Sequence, residues 1–160
     1  MRICQLIMVL VAVFTFNVVQ AAETKDIVQV LRGNSNYSTL VNLLVQADLI
    51  STLEGNGPYT LFAPTNAAFA KLPPQVLQDL NKPENKDKLV AIIKYHVIPK
   101  SLSAYAIQTG SSKTLSGKDL DLRVQGAEII VNGNARIVKP DIVAGNGVIH
   151  VVDTVLIPKN

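Results

Sequence analysis

The chain has 160 residues, 48% of them hydrophobic, a formal net charge of +3 and a single cysteine, Cys4. A chain of that length buries a sizeable core without disulfide staples. Its charge is small, and Lys82, Lys86 and Lys88 are interleaved with Glu84 and Asp87, unlike the clustered cations and aromatics of a phosphate-binding surface, so no nucleic-acid partner is expected.

At the N-terminus, Arg2 precedes an apolar run from Ile7 to Phe16, and the segment closes on Val19-Gln20-Ala21, the pattern of a secretory signal peptide. A retained membrane anchor would need about 20 apolar residues, and Asn17 and Gln20 interrupt this run. Residues 1–21 therefore read as a signal peptide and residues 22–160 as a single exported domain, periplasmic or extracellular, with no stable membrane insertion after cleavage. Cys4 lies ahead of the hydrophobic centre, out of place for lipid attachment, and departs with the signal. The mature domain is then free of cysteine, which excludes disulfide and thiolate chemistry.

The first half of the domain carries helical periodicity. Asp26 is placed to cap a short helix through Leu31, with Gly33 positioned to end it in the left-handed conformation. Leu40, Leu43, Leu44 and Ala47 recur at i, i+3, i+4 and i+7, one apolar stripe that Asn36 or Ser38 is placed to cap. A short helical piece follows over Leu49 to Leu53, and Gly55-Asn56-Gly57-Pro58 breaks the pattern.

Tyr59 to Ala63 then has the β-branched and aromatic content of a buried strand, stopped at Pro64. Thr65 or Asn66 can cap a helix carrying Ala67, Ala68 and Phe69, and the Pro73-Pro74 pair suits a helix start before Gln75 to Leu80. A third clear helix is predicted over about Glu84 to Tyr95, where Leu89, Ile92, Ile93 and His96 repeat the helical spacing.

From Val97 onward the pattern is β-type. Leu120, Leu122 and Val124 alternate with polar residues, Gln125-Gly126 turns the chain, and Glu128 to Val131 returns. Asn132-Gly133 is a hairpin signal before Ala135 to Val138, and Gly147 to Ile157 is rich in Val and Ile. Helices followed by strands define an α+β domain with a mostly antiparallel sheet.

Chemistry is sparse. Two histidines, His96 and His150, each sit among apolar residues, and neither has a second ligand at metal-site spacing, so both read as packed, hydrogen-bonded side chains. Gly110 to Lys118 fails as a phosphate loop, having Ser112 where glycine belongs and Asp119 where Ser or Thr belongs. Asp119 and Asp121 share one strand face but are too few for a calcium site, which collects about 6 to 8 oxygens. No nucleophile, metal set or cofactor fingerprint emerges, so the expectation is no catalytic residue, no metal and no cofactor.

Three stretches are nevertheless specific. Residues Gly57 to Phe69, reading Gly-Pro-Tyr-Thr-Leu-Phe-Ala-Pro-Thr-Asn-Ala-Ala-Phe, resemble the first signature block of the fasciclin domain, and Asn146 to Pro158 resembles the second. Between them Tyr95-His96-Val97-Ile98-Pro99 is similar to the family's tyrosine-histidine motif. The resemblance spans essentially the whole mature chain. It implies a β-sheet wedge with several flanking α-helices, used for adhesion to cells or matrix rather than for catalysis. It also implies that Tyr95, His96, Val97 and Ile98 are the partner-binding candidates, because this region is associated with integrin binding in animal members. Two departures, Lys100 and Pro140, are expected to alter loops. The leading expectation is a module that binds a cell-surface or matrix protein or polysaccharide; the alternative is a periplasmic carrier or sensor of a small ligand, which requires a concave, mostly apolar pocket.

Overall fold

The computed structural model describes residues 25–158, so the predicted signal peptide and Cys4 lie outside the described residues. Helix α1 (Ile27–Arg32) is closed at its start by a capping box between Asp26 and Gln29, and it buries Ile27, Val28 and Leu31. Gly33 ends it at φ −72°, right-handed rather than left-handed as expected, because the chain runs directly into a 3-10 turn at Ser35–Tyr37. That turn is capped by Asn34, whose side chain accepts from the Asn36 N–H, and it feeds straight into α2 (Ser38–Gln46). Neither Asn36 nor Ser38 is needed as a cap, since the preceding turn already lies along the helix.

Helix α3 (Ile50–Leu53) precedes the turn into β1 (Tyr59–Pro64). Thr65 caps α4 (Asn66–Ala70) by accepting from the Ala68 N–H at 3.3 Å. Asn66 instead reaches sideways: its Oδ1 accepts from Thr39 N at 3.1 Å and its Nδ2 donates to Ser35 O at 3.0 Å, tying α4 to the start of α2. Helices α5 (Pro74–Leu80) and α6 (Lys86–Tyr95) complete the helical half, with His96 as the C-terminal cap of α6.

The strand half consists of β2 (Val97–Ile98), β3 (Gly110–Lys113), β4 (Asp119–Gln125), β5 (Glu128–Val131), β6 (Ala135–Ala144) and β7 (Gly147–Val152). They form one seven-stranded sheet in the order β2-β1-β7-β6-β5-β4-β3. Every neighbouring pair is antiparallel except β1 and β7, which run parallel with Leu61 opposite Ile149 and Phe62 opposite His150. The sheet curls until its two end strands approach, where Leu115 N donates to Val97 O at 2.8 Å. Strand β6 is longer than the sequence pattern implies. Register shifts on either side of Lys139 bend it through Pro140 and Asp141, so Pro140 lies in a bulged strand rather than a loop.

Two cores follow from this curl. One lies between the helices and the outer face of the sheet and takes Leu61, Ala63, Ile149 and Val151 together with the buried residues of α1 and α2 and Leu89 and Ile93 of α6. The other fills the inside of the curl with Phe62, Tyr95, Ile98, Leu120, Leu122, Val131 and Leu156. Alternate residues of β1 and β7 therefore point into different cores, which is why both strands read as nearly unbroken apolar runs.

Candidate functional site

The tyrosine-histidine segment sits where α6 ends and β2 begins, at the boundary between the cores. Tyr95, His96, Val97 and Ile98 are all buried, none more than 3% exposed. The Tyr95 hydroxyl donates to Asp119 O at 3.1 Å and accepts from Asn132 Nδ2 at 2.9 Å. Asn132 in turn accepts from Asp121 N at 3.2 Å. It holds a left-handed φ of 53° in the β5–β6 hairpin, a conformation asparagine tolerates better than most residues. The tyrosine thus pins β4 and a hairpin turn from inside the sheet.

Both histidines have their tautomer fixed by backbone partners. His96 Nδ1 lies 2.7 Å from Ile92 O and must donate to it, leaving Nε2 to accept from Leu156 N at 3.0 Å. Burial lowers its pKa to about 4, against a smaller upward pull from the Ile92 carbonyl. His150 has the opposite tautomer: Nδ1 accepts from Asp141 N at 3.2 Å, and Nε2 donates to Leu102 O at 2.6 Å. Burial also lowers its pKa, opposed by the Leu102 hydrogen bond and the Asp141 carboxylate. Its ring packs 5.8 Å from that of Phe62. Neither imidazole has a nitrogen free for a substrate, and each joins two distant stretches of backbone.

The stretch between β2 and β3, residues 99–109, is clamped to this interior. Fully buried Thr60 donates its hydroxyl to Lys100 O and accepts from Leu102 N at 2.8 Å. Ala104 N donates to Asp141 Oδ1 at 2.7 Å, and Leu102 O is the carbonyl held by His150. Three fixed points in a short span set the path of this loop, and Tyr105, immediately beyond, is 97% exposed. No periodicity or motif in the sequence marks Tyr105; only the fold reveals it. Thr60 lay inside the first signature block, but its hydroxyl role was equally invisible there.

On the other side of the loop a cleft of about 520 Å³ opens between the two end strands of the sheet, lined by Ile98 to Lys100 and by Ser111 to Leu115. Asp119 and Asp121 project from the outer face of β4, where Asp121 pairs with Arg123 at 3.4 Å. Among the described residues, no three His, Cys, Asp or Glu side chains gather as a metal site requires. No helix of the described residues is long and apolar enough to cross a membrane.

A curled mixed sheet, a one-sided helical layer and buried polar residues spent on backbone define the chain as an α+β scaffold domain. The fasciclin domain model matches residues 35–158, and the chain belongs to that family. It is 46% identical over 132 residues to "Protein sll1483" of Synechocystis sp., an alignment covering 82% of this chain and 73% of that protein. It is 36% identical over 129 residues to human periostin, covering 80% of this chain but 15% of that much longer protein. Among solved structures it resembles a FAS1 domain pair from the insect cell adhesion molecule Fasciclin I, with a TM-score of 0.65 and 16% identity, over 84% of this chain and 51% of that one. The expected fold is therefore observed.

Proposed function

We propose that this chain is an exported, non-catalytic adhesion or interaction module that binds a cell-surface or matrix protein or polysaccharide. The observation that carries this reading is the contrast between a chemically committed interior and a held, exposed loop. His96, His150, Tyr95 and Thr60 all have their polar atoms bonded internally, while the loop of residues 99–109, anchored by buried Ile107, leaves Tyr105 exposed. Tyr95, His96, Val97 and Ile98 serve in this reading as the buried base that fixes the binding surface, and the partner meets the loop above them. Membership of the fasciclin family and the fold shared with an insect cell adhesion molecule support it. Export rests on the signal-like segment at residues 1–21.

Beads coated with the purified mature protein are expected to retain cells of the source or their envelope polysaccharide above a control protein of equal charge. Tyr105→Ala should reduce retention without lowering the melting temperature, because the side chain makes almost no packing contact. Retention no greater than the control would overturn the reading. Weak single contacts suffice for such a function when many copies act together, since linked contacts raise the effective concentration.

A further inference from the structure

We infer that the cleft between β2 and β3 takes an extended, acidic peptide segment of a partner protein, which adds to the sheet as a strand along the free edge of β3. The direction of the backbone groups carries this. Asp121 faces β5, since its N–H goes to Asn132 Oδ1 and its carbonyl accepts from Asn132 N at 2.8 Å, and Asp119 O is taken by Tyr95. Backbone polar groups alternate in direction along a strand, so Leu120 and Leu122 face β3, where they stand opposite Ser112 and Gly110. Thr114 also faces β4, its N–H donating to Lys118 O at 3.1 Å. The N–H and C=O groups of Ser111 and Lys113 therefore point away from β4 and into the cleft. Leu115, next in the same phase, makes the one bond that closes the seam, to Val97 O. Beyond Val97, the next outward residue of β2 is Pro99, which has no N–H to offer. Among the described residues, the seam is thus held at one end and open beyond it, with an unpaired edge on the β3 side.

Two features select the occupant. The cleft lining includes Lys100 and Lys113 and no acidic residue; neither ammonium has a salt-bridge partner among the described residues, Asp119 standing opposite Lys113 on β4 without pairing to it. Lysine on an edge strand disfavours pairing with a second copy of the same edge, whereas an acidic strand relieves that repulsion. Main-chain bonds would supply affinity and the lysines selectivity, the usual division in strand addition. This inference rests on the adhesion reading in one respect: it names the class of partner.

The probe is a labelled peptide of alternating valine and glutamate, with its valine-lysine counterpart and polygalacturonate as comparisons. The acidic peptide should bind about tenfold more tightly than the basic one, and the amides of Ser111 and Lys113, but not Ser112, should become protected from hydrogen exchange. Ser111→Pro removes an N–H that no strand in the fold uses, so the domain should melt as the wild type does while peptide affinity falls about tenfold. The double variant Lys100→Glu, Lys113→Glu should reverse the peptide preference. Peptide affinity unchanged by Ser111→Pro, or binding without protection at Ser111 and Lys113, would overturn strand addition. So would polygalacturonate binding that depends on both lysines in the absence of peptide binding. Failure of the adhesion reading is distinguishable: wild-type beads would then capture no envelope material although the acidic peptide still binds.

Discussion

Replacing His96 by glutamine tests whether the buried imidazole links stability to pH. In the folded protein Nε2 must accept from Leu156 N, so protonation would set two donors against each other in a fully buried site. The folded pKa is depressed below the ordinary value, so the neutral plateau above pH 6.5 is the stable side. Stability falls as the unfolded chain takes up its proton near pH 6.5, and the loss is complete once pH passes below the folded value of about 4. The gap between 6.5 and about 4 amounts to roughly 3 kcal/mol, of which roughly 2 kcal/mol is already lost at about pH 5.

The measurement is urea unfolding at about pH 7.5 and about pH 5. Wild type should lose roughly 2 kcal/mol from His96 over this interval, with a further loss of the same sign from His150, whose pKa is also depressed. His96→Gln keeps an acceptor near Leu156 but loses the donor to Ile92, so it should start about 1 kcal/mol less stable at the higher pH. Its loss on acidification should be smaller than that of wild type by roughly 2 kcal/mol. The exposed Asp79, whose pKa is lowered by Lys82, does not confuse this window, because its contribution disappears only below its ordinary value of 3.8. A His96→Gln protein that loses as much stability between the two pH values as wild type would refute the reasoning.

Tyr95→Phe removes the hydroxyl that links Asp119 O to Asn132 Nδ2, and it should cost about 1–3 kcal/mol in urea unfolding while bead retention by the folded protein is unchanged. Asn146→Ala should be more damaging, by about 2–4 kcal/mol. Its side chain accepts from Ile27 N and donates to both Leu53 O and Gly55 O, so one amide holds α1, α3 and the turn before β1; an unchanged unfolding midpoint would exclude this role. Gly147→Ala would place a Cβ against the Tyr59 backbone in the adjacent parallel strand, and a loss of at least about 3 kcal/mol, or no soluble protein, is expected. A variant of normal stability would mean that β1 and β7 can separate more readily than their register implies.

Much of the fold was legible because its determinants are local and periodic. Leu40, Leu43 and Leu44 announce α2, and the alternation of Leu120 with Leu122 announces β4 and which face it buries. The end of α1 was misread for a physical reason. A glycine after a helix is consistent with a left-handed stop, but Asn34 caps the next turn so directly that no reversal is required. The far half of β6 escaped because Pro140 reads as a loop residue, and only pairing with β7 carries the bulged strand onward to Ala144. Sequence placed His96 on a buried stripe correctly, yet its partner Leu156 lies sixty residues away, a distance no spacing argument spans. The exposed loop and the open seam were illegible for the same reason, since both depend on which strand ends meet when the sheet curls.

The three family-like stretches map onto adjacent strands: the first contains β1, the second contains β7, and the tyrosine-histidine motif leads into β2. Most of their polar members bond within the domain. Thr60 holds the loop after β2, Thr65 caps α4, Asn66 ties that helix to α2, and Asn146 joins three helical and strand ends. Asp153 accepts from Arg136 N at 2.9 Å and so locks the end of β7 to β6. These stretches build the central sheet and its clamps, and they say little about what the sheet's margins touch. Lys100 and Tyr105, by contrast, lie outside these stretches, as do Ser111 and Lys113 on β3. On the proposed function, alanine substitutions at Tyr105 and Lys100 are expected to lower binding without unfolding the domain, whereas those at Tyr95 and His96 are expected to act first through stability, because their side chains are buried.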